Sequence, residues 1–266
     1  MRRASVSTWA LHSLLGTCAP GRPGDDQERM MDSTQCKVDL LDVPGLLREH
    51  GFGTMELCHF HIADTSPSYL RKLRSHLQQH QVELWSLLID DGDLASPVHG
   101  DRDAEWTRGW IDRAETLGAK CVRISGGKQA PTEQAVCQSI ELLGQLGAYA
   151  AVRGVNALTE NWHETMSSPE VVKRVIEETC LGLCFDFGNW TGPDKYERLE
   201  QIAPLATSCH AKCEYVDGRP NVEDFERCLK ITHSAGFDGP YTLVYGETGR
   251  VWESLAEQAE LLQPYL

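Results

Sequence analysis

Short apolar runs alternate with longer, helically patterned segments along the whole chain, and that alternation restricts the fold more than any single motif does. The strand-like runs are Val6–Leu11, Thr54–Phe60, Val82–Leu88, Lys120–Ser125, Asn156–Glu160, Leu181–Asp186, Thr207–Lys212 and Tyr241–Tyr245. Helical candidates lie between them at Leu40–His50, Pro67–Gln79, Arg102–Leu117, Glu133–Val152, Pro169–Glu178, Lys195–Ile202, Val222–Ala235 and Trp252–Leu262. Leu70, Leu73 and Leu77 follow the stripe of an amphipathic helix, and Ser66-Pro67 and Ser168-Pro169 each offer a cap with proline at the first helical position. Glycines at 51, 53, 118, 154, 182, 236 and 239 stand where helices give way to strands. Eight β units, each followed by a helix, predict an α/β fold of (β/α)8 TIM-barrel type. A doubly wound dinucleotide fold fits less well, because Gly51-Phe52-Gly53 lacks the third glycine and precedes a strand instead of following one. The expectation is one domain over residues 1–266. A mobile loop at Thr17–Gln35 follows the first strand, on the face where a barrel keeps its active site.

Charge narrows the partners. Lys plus Arg number 25 against 39 Asp plus Glu, a net charge of −14, the wrong sign for a phosphate-backbone binder. No stretch approaches the ~20 apolar residues of a membrane helix. Met1-Arg2-Arg3 imitates the start of a secretory signal, but Ser5, Ser7, Thr8 and His12 interrupt the apolar core such a signal needs, so a cytoplasmic protein is expected. Ten cysteines scattered among apolar neighbours read as buried thiols. Cys180/Cys184 and Cys209/Cys213 have three intervening residues instead of the two usual in a structural zinc site.

Polar residues that end apolar strands are the ones a barrel would gather on its active face. Strand five ends in Thr159-Glu160-Asn161, strand six in Asp186-Phe187-Gly188-Asn189, strand seven carries His210-Ala211-Lys212, and Glu247 follows strand eight. Carboxylates ending apolar runs are expensive to desolvate unless a positive charge compensates them. A divalent cation held by Glu160, Asp186, His210 and Glu247 would do so. This oxygen-rich set with one nitrogen suits Mn²⁺, Mg²⁺ or Co²⁺, and Zn²⁺ is also accommodated.

The chain here resembles the xylose isomerase-like sugar isomerases and epimerases, whose barrel is shared with endonuclease IV. The resemblance rests on Met55-Glu56-Leu57-Cys58, on Leu87 through Leu94, on Thr159-Glu160-Asn161, Asp186-Phe187-Gly188-Asn189 and His210-Ala211-Lys212, and on Gly236 through Pro240. It implies that Glu160, Asp186 and His210 are metal ligands. Strand eight departs from the family pattern, which places a last glutamate where Val244 stands. Either the following loop bends Glu247 back onto the metal, or the site has three protein ligands plus water. The second outcome removes one of the two carboxylates that the family's epimerases use as an acid/base pair.

The chemistry expected is proton transfer through an enediolate on a small hydroxy-carbonyl sugar, inosose or related compound, with Glu160 as base and Glu247 as the second acid/base. Lys212 would steady the developing oxyanion or make a structural ion pair. Arg123 and Glu56 would bind substrate in the barrel mouth or pair across the barrel, and Asn189 is a further substrate-binding candidate. Gly126-Gly127-Lys128 reads as a phosphate cradle or a tight loop, and His59-Phe60-His61 as a rival metal pair. Alternatives from other classes are an endonuclease IV-like abasic-site nuclease, a degenerate sugar-binding protein, and a dehydratase or lyase using the same site. Substrate, metal and oligomeric state, including a homo-oligomer, are not fixed by the sequence.

Overall fold

A computed structural model describes residues 1–16, 23–24, 37–247 and 249–266 of the chain. Eight parallel strands close into a barrel: β1 (Arg3–Ser7), β2 (Thr54–Cys58), β3 (Glu83–Ile89), β4 (Cys121–Ile124), β5 (Asn156–Glu160), β6 (Gly182–Asp186), β7 (Ala206–Lys212) and β10 (Pro240–Val244). Sequential strands are neighbours throughout, and β10 closes the ring by pairing with both β7 and β1. A two-residue-per-arm hairpin, β8 (Tyr215–Val216) with β9 (Arg219–Pro220), sits in the connection after β7. The helices are α1 (His12–Leu15), α2 (Val43–Glu49), α3 (Pro67–Gln79), α4 (Gly100–Leu117), α5 (Glu133–Val152), α6 (Pro169–Thr179), α7 (Lys195–Ile202), α8 (Val222–Ser234) and α9 (Val251–Leu262). Among the described residues no helix is long and apolar enough to cross a membrane.

The local signals act as the sequence suggests. Leu70, Leu73 and Leu77 are the buried stripe of α3, and Ser66, Thr132 and Ser168 accept backbone N–H bonds at the starts of α3, α5 and α6. Gly118, at φ +77°, turns the chain out of α4 in the left-handed conformation that glycine adopts without steric cost. The first strand differs from expectation. Ser7 caps a 3₁₀ turn over Thr8–Leu11 by accepting from Trp9 N, so the strand lies earlier, at Arg3–Ser7, and the apolar run Ala10-Leu11 packs as a turn. Apart from Pro23 and Gly24, the loop expected over 17–35 lies outside the described residues.

Two register shifts interrupt the ladder. One lies between Met55 and Glu56 opposite β3, the other between Leu183 and Cys184 opposite β7. Such irregularities re-aim side chains, and both fall beneath the same end of the barrel.

Candidate active site

Glu160 and Asp186 are the last residues of β5 and β6, and His210 is paired with Asp186 in the β6–β7 register. Their side chains converge at the C-terminal mouth of the barrel. His210 Nδ1 stands 3.4 Å from Glu160 Oε1 and 3.6 Å from Asp186 Oδ2. All three residues are buried. Asp186 Oδ1 accepts backbone N–H bonds from Gly188 and Asn189, at 2.6 and 2.7 Å, which anchors that oxygen and leaves Oδ2 facing His210. The buried Asn161 bonds the Asp186 main chain in both directions and so ties the end of β5 to the end of β6.

Arg123 completes the cluster from β4. Its Nε lies 2.9 Å from Glu160 Oε2, its Nη1 donates to the Ile89 carbonyl at 3.1 Å, and its Nη2 pairs with Asp90. Asn189 Nδ2 donates to the other Glu160 oxygen at 2.7 Å. Burial alone would push the Glu160 carboxyl up, but Arg123 and His210 outweigh it and hold the group at about 2. Burial likewise works against the His210 imidazolium, while Cys184 beside the ring and the carboxylates of Glu160, Glu56 and Asp186 drive its pKa upward.

The cavity these residues line, about 170 Å³, also meets Ser7, Trp9, Cys58, Asp90, Trp162 and Lys212. Of the residues the sequence singled out, Arg123, Glu160, Asp186, Asn189, His210 and Lys212 are brought together there. Two are not. Glu247 is exposed, past the end of β10, and does not line the cavity, while Val244 does. Strand parity explains the place of Val244: Thr242 and Val244 face the same way as their β7 partners His210 and Lys212, and Glu247 comes three residues after Val244, past the end of the ladder. Glu56 is wholly buried beneath the cavity instead of in its mouth, bonded to His210 Nε2 at 2.7 Å and to Ser208 Oγ at 3.3 Å.

The remaining motifs have structural roles. Lys128 N and the Gln129 side chain are taken by Asp93, so Gly126-Gly127-Lys128 forms a tight loop. His61 is bonded to Thr8 and His12 beside β1, while His59 accepts from Asp90 N and lies 3.4 Å from Asp91 Oδ2 beyond the end of β3, so the two rings are engaged on opposite sides of β2. The eight described cysteines are free thiols.

Sequence reasoning missed Cys184 and Asp90. Cys184 brings its sulfur within 4.8 Å of donor atoms of Glu160 and His210, and its place two residues before Asp186 was the available signal. Asp90, the partner of Arg123, sits in a motif whose role only the β3–β4 register reveals.

The cluster offers donor atoms to a divalent cation. Ligand atoms ~2.1 Å from a metal in a tetrahedral arrangement lie about 3.4 Å from one another, close to the separations of Glu160 and Asp186 from His210 Nδ1. Among the described residues, the three donors that all lie within 4.8 Å of one another are those of Glu160, Cys184 and His210, without Asp186. Glu56 on the far nitrogen is the partner that metal-binding imidazoles ordinarily have.

Comparison with known proteins agrees with this architecture. A xylose isomerase-like TIM barrel protein from Mycobacterium smegmatis, solved in complex with magnesium, superposes with a TM-score of 0.71 at 14% identity, covering 98% of this chain and 95% of that one. A D-tagatose 3-epimerase-like protein gives 0.69 at 17% identity over 99% and 96% of the two chains. The 3-keto-D-glucoside 4-epimerase of E. coli gives 0.65 at 12% identity over 90% and 97%. At these identities the likeness is one of fold. No curated protein matches the sequence. The model of the xylose isomerase-like TIM barrel family matches residues 44–264, and the chain belongs to that family.

Proposed function

We propose that the protein is a divalent-metal-dependent member of the isomerase/epimerase class acting on small hydroxy-carbonyl compounds, sugars or inososes, and that, with one carboxylate base, it works as an isomerase. The convergence of Glu160, Asp186 and His210 Nδ1 in a cavity open to small molecules supports this reading. These three residues would hold the cation, which when bound supplies Lewis acidity to a substrate carbonyl. Glu160 takes the proton from the carbon beside that carbonyl and returns it to the carbonyl carbon, while the hydroxyl proton on the first carbon passes to the former carbonyl oxygen. Asn189 and Arg123, one on each oxygen, fix the plane of its carboxylate. The Lys212 side chain makes no hydrogen bond or ion pair with the described residues, and its ammonium is available to steady negative charge developing on a substrate oxygen. Trp9 and Trp162 wall the cavity.

One base is favoured because Val244 lines the cavity where the family carries a carboxylate, and Glu247 is exposed. Of the other acids lining the cavity, Asp90 is engaged by Arg123 and Asp186 by backbone N–H groups. Transfer between adjacent carbons on one face needs a single base, whereas inversion at one carbon needs two. The test is Mn²⁺, Co²⁺, Mg²⁺ or Zn²⁺ binding followed by a ketose, aldose and inosose panel run in deuterium oxide. One-base transfer leaves some substrate-derived hydrogen in the product; two-base inversion replaces it entirely with deuterium. Failure to bind any of the four cations, with no turnover, sinks the reading.

The Arg123–Glu160 contact favours one other reading, a sugar-binding protein without turnover. Tight binding that is unchanged in Glu160→Gln, with no exchange of substrate hydrogen, would establish it.

A further inference from the structure

We propose that Glu56 is a positioning residue: through a directional hydrogen-bond chain from Trp85 to Ser208 to Glu56 to His210, it holds the His210 ring with Nε2 protonated and Nδ1 turned to Glu160 and Asp186. The role rests on the reading of those three residues as a cation site.

Each link has one polarity. The Trp85 indole N–H can only donate, and it does so to Ser208 Oγ at 3.0 Å. The Ser208 hydroxyl, accepting there, keeps its own proton for Glu56 Oε1 at 3.3 Å. Glu56 Oε2 is then the acceptor for His210 Nε2 at 2.7 Å, so the proton on that side belongs to the ring. Glu56 and Ser208 are 0% exposed, and no solvent competes for these bonds. The two register shifts of the barrel lie on this path. Trp85 is the residue skipped opposite Met55 and Glu56, and Thr207, just before Ser208, is skipped opposite Leu183 and Cys184. An imidazole without a fixed partner is free to carry its proton on either nitrogen, and the Nδ1–H form offers no lone pair to a cation at Glu160 and Asp186. When the ring gives up a proton on taking a cation, a carboxylate on Nε2 keeps the Nε2 proton in place and leaves Nδ1 as the donor.

The experiment combines nitrogen-15 histidine labelling with Mn²⁺ titration calorimetry. The metal-free wild type is expected to show a solvent-protected Nε2–H resonance for His210, assigned by its loss in His210→Asn and absent in Glu56→Ala. Glu56→Gln, nearly equal in volume, is expected to weaken Mn²⁺ binding about 10–100-fold. Trp85→Phe keeps most of the ring and drops only the N–H. It is expected to weaken binding about 2–10-fold, and it serves as the reporter should the Glu56 variants not fold. A wild-type His210 protonated at Nδ1 alone overturns the proposal, and so does a Glu56→Gln protein that melts lower yet binds Mn²⁺ within twofold of wild type. A wild type that takes up no divalent cation sinks the isomerase reading, while the resonance still decides the role of Glu56.

Discussion

Val244 stands directly opposite Lys212 in the β7–β10 ladder, and the two side chains line the same cavity as Glu160, Asp186 and His210. An apolar residue beside a cation thus occupies the wall where the family keeps its last carboxylate. Val244→Glu is expected to bring a fourth acid to the site and tighten Mn²⁺ binding about tenfold, a gain of ~1.4 kcal/mol, measured by titration calorimetry. Glu247→Gln is expected to leave the affinity within twofold. Loss of binding in Glu247→Gln would mean that the loop after β10 closes over the site and that three protein ligands are not enough.

The barrel was legible because its signals are local. Apolar runs, serine caps and glycine exits act within a few residues, and α3, α5 and α7 begin and end where the periodicity puts them. The strand-end acids Glu160 and Asp186 were legible for the same reason, since the end of a strand is a sequence position. Contacts between strands were not. That Arg123 lies next to Leu88 in register, and so reaches Asp90 as well as Glu160, follows from β3–β4 pairing. Glu56 read equally as a residue of the mouth or as one of a buried pair across the barrel, because a regular strand gives no hint of the register shift beside it. Glu247 looked available because parity past a strand end is set by the loop and not by the pleat.

Arg123 is the counter-charge for two buried or half-buried acids, and both Arg123 and Glu160 side chains are only 4% exposed. Removing one partner of such a pair leaves an uncompensated charge in low dielectric. Arg123→Leu is expected to lower stability by about 3–5 kcal/mol in urea denaturation. The double variant Arg123→Leu with Glu160→Gln is expected to recover part of that loss, because the orphaned carboxylate is gone. A double variant no more stable than Arg123→Leu alone would show that the arginine contributes through packing against Trp162, over whose ring it lies at 5.1 Å, and not through charge.

His61 should make the fold acid-sensitive. Burial, reinforced by His12 and His59, depresses its imidazole to about 3 from an ordinary value of 6.5. The folded protein therefore keeps the ring neutral where the unfolded chain protonates it, and the unfolded state binds more protons between these two values. Stability from this group is fully present above about pH 6.5 and is lost as the pH falls toward 3, at up to ~1.4 kcal/mol per pH unit. His61→Gln is expected to flatten the fall in melting temperature between pH 6.5 and pH 4.5 relative to wild type. Equal slopes in the two proteins would assign the acid sensitivity elsewhere.

Gly127 tests whether the loop after β4 is held by close packing rather than by a ligand. Its φ is +137°, and a Cβ there would stand 2.4 Å from Ala95 Cβ and 3.0 Å from Ala95 N. Backbone cannot yield as a flexible side chain does, and the conformation itself is one that residues with a Cβ rarely adopt. Gly127→Ala is expected to lower stability by about 1–3 kcal/mol in urea denaturation. The loop also fixes Lys128 N and Gln129 on Asp93, and Asp93 lies three residues after Asp90, the partner of Arg123. Displacing the loop should therefore disturb the site through β3 and β4 without touching a residue of the cavity. A Gly127→Ala protein with wild-type melting and lowered Mn²⁺ affinity would instead place the loop's function at the ligand.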